Sequence, residues 1–228
     1  MRALVSGYDG VMSGRRQTIG LLGGSFNPAH EGHLHISREA LKRLGLDQVW
    51  WMVSPQNPLK TTDDMAGFDQ RLASARAMAR DPRIRVTSIE RRLGTTQTAL
   101  TLRKLKRRFP NARFVWLMGA DNLLQIHRWY RWKDIFTLVP LAVFARPTYD
   151  SKALSGLAAT RFARVFVPER FASTLAFRKP PAWVFLAIRR HEASATAIRA
   201  SGAFPVTRDD TGSTDRDPAP DPGSHGSE

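Results

Sequence analysis

No cysteine occurs among the 228 residues, which excludes disulfides and thiolate metal sites. No apolar run approaches the ~20 residues that a helix needs to cross a bilayer. No secretory h-region stands near the N-terminus, so no membrane partner is expected and the expected compartment is the cytoplasm. Internal repeats are absent, and so is the Gly-x-x-x-x-Gly-Lys-Ser/Thr run of a P-loop. Acidic residues are in short supply: 20 Asp and Glu face 35 Lys and Arg, a net charge of +15. The acids also cluster. Residues 203–228 hold two arginines against six acids, net −4, which leaves +19 on residues 1–202. Such a surplus suits a polyanion, either nucleotide phosphates or nucleic acid, and charge alone does not choose.

Against these absences stands one dense stretch, Gly23-Gly24-Ser25-Phe26-Asn27-Pro28-Ala29-His30-Glu31-Gly32-His33. Residues 18–22 before it are apolar and read as a buried strand. After it, Ile36, Ala40, Leu41 and Leu44 recur at helical spacing until Gly45 offers a stop. A strand, a glycine-rich turn and a helix in that order form the place where α/β proteins hold phosphate. Small residues let the backbone approach the anion, and the helix start presents unpaired N–H groups. With a helix beginning near Glu31, His30 and His33 lie at its first turn and face whatever the turn holds. An imidazole donates well to a phosphate oxygen.

Further along, residues 48–53, 84–87, 114–118, 141–144 and 183–186 read as strands, and residues 68–79, 98–109 and 132–138 as helices. Thr98 is the expected N-cap of the second of these, whose Arg103, Lys104, Lys106, Arg107 and Arg108 form a solvated face. Residues 151–181 are less regular, with a helical stretch and then a strand at 165–167. A last helix starts near Ser194 and Thr196 and carries Arg199. Residues 1–15 are expected to be a flexible extension, 16–202 a single domain, and 203–228 a disordered Pro/Gly/Ser-rich tail. Alternating strands and helices predict an α/β, doubly wound, mainly parallel sheet. Ligands of such sheets lie beyond the carboxyl ends of the strands, so the histidines, Lys60 and Asp121 should converge there.

The run Gly-Gly-Ser-Phe-Asn-Pro-x-His-x-Gly-His resembles the motif of the nucleotidyltransferase superfamily, and in wording it is most similar to the nicotinate-nucleotide adenylyltransferases. Ser194-x-Thr196-x-x-Arg199 is similar to that family's second element near the C-terminus. The resemblance implies a Rossmann-like nucleotidyltransferase domain that transfers the adenylyl group of ATP to nicotinate mononucleotide, giving deamido-NAD and pyrophosphate, with Mg²⁺ carried by ATP and no metal held by the protein. It implies catalytic roles for His30, His33 and Arg199. It implies ATP and phosphate contacts from Gly23, Gly24, Ser25, Phe26, Lys60, Gly119, Asp121, Arg146, Ser194 and Thr196, and pyridine-nucleotide contacts from Asn27, Thr98 and Trp129. Asn27 stands where many members have aspartate, Gln97 where tyrosine is frequent, and Leu59 where histidine is frequent. Nicotinamide mononucleotide, phosphopantetheine or a sugar phosphate as acceptor keeps the chemistry. Nucleic-acid binding by the basic body is a different class, and no recognised motif supports it. Nothing in the sequence sets an oligomeric state.

Overall fold

The computed structural model describes residues 16–55, 65–145, 150–188 and 195–204. Expectations that fall on residues 1–15, Lys60, Arg146, Ser194 and 205–228 lie outside the described residues. The strands are β1 (Thr18–Gly24), β2 (Gln48–Val53), β3 (Ile84–Thr87), β4 (Arg113–Gly119), β5 (Leu141–Phe144), β6 (Phe166–Val167) and β7 (Trp183–Leu186). They form one sheet in the order β3-β2-β1-β4-β5-β7-β6, and every pair is parallel. The helices are α1 (Glu31–Arg43), α2 (Phe68–Met78), α3 (Ile89–Leu93), α4 (Thr98–Arg108), α5 (Ala120–Gln125), α6 (Trp132–Leu138), α7 (Asp150–Leu154), α8 (Leu157–Arg161) and α9 (Ala195–Ala200). The expected doubly wound α/β class is the observed one.

Both faces of the sheet are buried, which is why its strands read as continuous apolar runs. Successive residues nevertheless feed different cores. Trp51, Val115 and Leu117 pack with α1 and α2 on one face, while Trp50, Trp116 and Met118 pack with α4, α5 and α6 on the other. Helix α1 shows how local chemistry fixes an element. Glu31 lies in its first turn and Lys42 and Arg43 in its last, each complementing the helix dipole. Gly45 follows with φ of +61°, a left-handed stop that glycine adopts without steric cost.

The chain enters the sheet at its middle, winds outward through β2 and β3, then returns to β4 on the other side of β1. The order therefore reverses between β1 and β4, the switch point where sheets of this kind take ligands beyond the carboxyl ends of their strands. Register brings those ends level: Gly24 pairs with Val53, and Gly119 with Phe144.

Some expectations shift. Gly23 and Gly24 are the last residues of β1 rather than part of the turn. A Cβ at position 23 would sit 2.6 Å from Trp116 Cη2, so this glycine serves close packing under an indole ring. Thr98 is the first helical residue of α4 and not its N-cap, which is Gln97 with no side-chain cap bond. Val165 ends a short 3₁₀ turn, leaving β6 only two residues. Among the described residues, no helix is long and apolar enough to cross a membrane.

Helix α1 is pinned to the sheet by one polar contact inside the core: the buried Trp51 Nε1 donates to Ser37 Oγ at 2.7 Å. Ser37→Ala removes that acceptor. It should destabilise the protein by about 1–3 kcal/mol in urea unfolding, whereas Ser37→Thr, which keeps a hydroxyl, should lose less.

Candidate active site

The turn between β1 and α1 is built by its own side chains. His30 is the N-cap of α1 and is buried. Its Nδ1 accepts the Gly32 N–H at 3.1 Å, and His33 Nδ1 accepts the His30 N–H at 3.2 Å. This is the reciprocal arrangement usually made by serine and glutamate, here made by two imidazoles whose centroids are 4.0 Å apart. A ring nitrogen that accepts a backbone N–H carries no proton, so in each neutral ring the proton is on Nε2. Both rings thus become Nε2–H donors at the start of a 13-residue helix, where the dipole favours an anion. Phe26 packs beneath them, 4.7 Å from the His33 ring and 5.2 Å from Trp51. Its φ of +48° is left-handed, a conformation that costs a non-glycine residue roughly 1–2 kcal/mol.

Distant parts of the chain reach this turn. Arg199, the penultimate residue of α9, donates from Nη1 to the Asn27 carbonyl at 2.5 Å across 172 residues. Asn27 Oδ1 accepts the Ala66 N–H at 3.1 Å, which ties the turn to the segment leading into α2. The structure therefore brings together His30, His33, Phe26, Asn27 and Arg199. Ser25 lies in the same turn, and Gly24 ends the strand that leads into it. On the neighbouring strand, Gly119 ends β4 and Asp121 lies in the first turn of α5. Thr196 is in the first turn of α9 and exposed. Thr98 and Trp129 belong to the layer on the other face: both are half-buried, Trp129 against the α4–α6 core. No described contact joins either of them to the histidine turn. Among the described residues, no group of three or more His, Cys, Asp or Glu gathers to hold a metal ion.

A family model described as cytidylyltransferase-like matches residues 21–201. A relative from Parvibaculum lavamentivorans, named probable nicotinate-nucleotide adenylyltransferase, is 56% identical over 186 residues, covering 82% of this chain and 92% of that one. One of the same name from Methylorubrum extorquens is 55% identical, covering 79% of this chain and 98% of that one. The chain belongs to the nicotinate-nucleotide adenylyltransferase family. Among solved structures, a nicotinic acid mononucleotide adenylyltransferase from Plasmodium falciparum, complexed with NaAD, aligns with a TM-score of 0.61. It is 16% identical, over 81% of this chain and 83% of that one, a likeness of fold.

Two polar residues in this adenylyltransferase-family chain escape a reading of its sequence. Arg71 is 1% exposed; its place on the apolar stripe of Phe68, Leu72 and Ala75 is the signal that it points inward. Glu90 sits in Ile89-Glu90-Arg91-Arg92, a charged run that looks solvated, yet it is buried. Thr101 Oγ1 donates to its Oε1 at 3.1 Å, and Thr95 lies 2.9 Å from Thr101. Burial pushes the Glu90 carboxyl up from its ordinary 4.5 to about 7, while hydrogen bonds from Thr101 and Ser54 act in the opposite direction.

Because the folded protein holds this proton more tightly than the unfolded chain, stability falls as pH climbs from 4.5 to about 7. The loss attributable to Glu90 is up to about 3 kcal/mol. Glu90→Gln keeps the acceptor and removes the charge. Its advantage over wild type in urea unfolding should widen between those two pH values, and parallel profiles would refute the assignment.

Proposed function

We propose that this chain joins ATP and nicotinate mononucleotide to give deamido-NAD and pyrophosphate. A phosphate oxygen of nicotinate mononucleotide bonds to the α-phosphorus of ATP as the bond from that phosphorus to the α,β-bridging oxygen breaks. Pyrophosphate leaves with the electron pair. The attacking phosphate is already an adequate nucleophile, so no covalent enzyme intermediate is needed, and catalysis consists of alignment and charge stabilisation. Mg²⁺ enters on the ATP phosphates as part of the substrate.

The observation that carries this reading is the arginine at the other end of the chain: Arg199 reaches the carbonyl of Asn27, three residues before His30. Two motifs far apart in sequence thereby meet at one edge of the sheet. In the proposed roles, the His30 and His33 Nε2–H groups and the Arg199 guanidinium stabilise charge on the α-phosphate and the departing pyrophosphate. Gly23, Gly24, Ser25 and Phe26 offer backbone at the phosphates, joined by Lys60, Arg146, Ser194 and Thr196. Gly119 and Asp121 contact the nucleotide from the β4 side. Asn27, Thr98 and Trp129 serve the pyridine nucleotide: a stacking face and N–H donors suit a flat ring that bears a carboxylate.

Pyrophosphate release, measured with ATP and Mg²⁺ against nicotinate mononucleotide, nicotinamide mononucleotide and phosphopantetheine, tests the reading. Turnover should be fastest with nicotinate mononucleotide, and His33→Ala should lower kcat by about 10²-fold or more. No turnover with any acceptor, or an unchanged kcat in His33→Ala, would contradict it.

A further inference from the structure

The turn that bears the histidines is held from inside by a residue outside both motifs. Arg71, on α2, is buried, and its guanidinium donates to main-chain carbonyls of three separate segments. Nη1 reaches Ser25 O at 2.8 Å and Ser54 O at 2.7 Å, Nη2 reaches Pro55 O at 2.9 Å, and Nε reaches Ala66 O at 2.8 Å. Only a planar fork with donors on three nitrogens can serve carbonyls arriving from different directions. With the Asn27 to Ala66 bond, the contacts close a ring: Ser25 and Asn27, on either side of Phe26, are both tied to the stretch from Ala66 to Arg71.

That ring fixes a peptide plane. In a trans peptide the carbonyl and the N–H point in opposite directions. The Ser25–Phe26 unit is trans, the cis bonds being Asn27–Pro28 and Pro180–Pro181. Its carbonyl is drawn inward to Arg71, so the Phe26 N–H is turned the other way. The plane is held against a preference, because Phe26 sits at a left-handed φ. The other carbonyl of this turn that an arginine holds, Asn27 O, takes Arg199, but the peptide it belongs to ends at Pro28, which has no N–H. Of the two peptides within the turn that an arginine holds, the Ser25–Phe26 unit is thus the one that can offer a donor.

We propose that Arg71 is a positioning residue for adenylyl transfer: by holding the Ser25 carbonyl inward, it aims the Phe26 N–H at the phosphate whose charge grows in the transition state. The proposal rests on the adenylyltransferase reading above. It also requires the fork and not merely a positive charge.

The test compares full-length wild type, Arg71→Lys and Arg71→Met with Mg-ATP and nicotinate mononucleotide. Rates are taken per binding-competent site, counted by calorimetric titration with α,β-methylene-ATP. Both variants should lose about 10²-fold in kcat, with KM for nicotinate mononucleotide changed by less than about threefold. A purely structural role would lower the number of competent sites and leave kcat per site intact, which overturns the proposal. Full kcat in Arg71→Lys overturns it as well, since charge alone would then suffice. Wild type supplies a second measurement independent of whether the variants fold. In nitrogen-15 NMR, the Phe26 amide and the Arg71 guanidinium signals should shift together on saturation with Mg²⁺ and α,β-methylene-ATP, and unmoved Arg71 signals overturn the proposal. If wild type turns over no acceptor, the functional reading fails, and the NMR result still decides the role of Arg71.

Discussion

Two imidazoles capping one helix are the constraint on which the rest of this site depends. A helix start leaves backbone N–H groups to be satisfied, and here His30 and His33 satisfy two of them with Nδ1. The same bonds decide the tautomer and the direction of each ring. A serine–glutamate cap would satisfy the same N–H groups but present no imidazole N–H. The histidines therefore divide their two nitrogens: Nδ1 builds the turn and Nε2 carries the proton.

The surroundings follow from what such a turn requires. It must stand where the sheet order reverses, and β1 and β4 provide that place. It must hold an unfavourable Phe26 conformation, which the packing of Trp51 and His33 and the arginines on Ser25 and Asn27 carbonyls help to maintain. Ser54 links the two buried charged-residue environments, since its carbonyl accepts from Arg71 and its hydroxyl donates to the Glu90 carboxylate. The Glu90 cluster then reaches α4 through Thr101. A continuous polar path thus runs from the helix layer that carries α4 to the histidine turn.

The strands were legible because parallel strands buried on both faces appear as short apolar runs, and residues 48–53, 84–87, 141–144 and 183–186 are observed as expected. The helix start at Glu31 and its stop at Gly45 were legible from composition and spacing. The meeting of Arg199 with the turn was legible only through the family resemblance, since no local pattern links residues 172 apart. What stayed hidden is tertiary. Glycines 23 and 24 belong to β1, with Gly23 fitted to the Trp116 ring, a reason that a turn-based reading of glycine overlooks. The burial of Glu90 leaves no mark in the sequence because a five-residue helix is too short to show a periodicity. The role of Arg71 leaves no mark either, because its carbonyl partners come from three other segments that no sequence window contains.

A crystal structure with Mg²⁺ and α,β-methylene-ATP bound examines the central claim most directly. The account predicts the triphosphate at the start of α1, within hydrogen-bonding distance of Nε2 of His30 and His33, with the Arg199 guanidinium against the same phosphates. A triphosphate bound elsewhere, or one at this edge that neither imidazole touches, would contradict it.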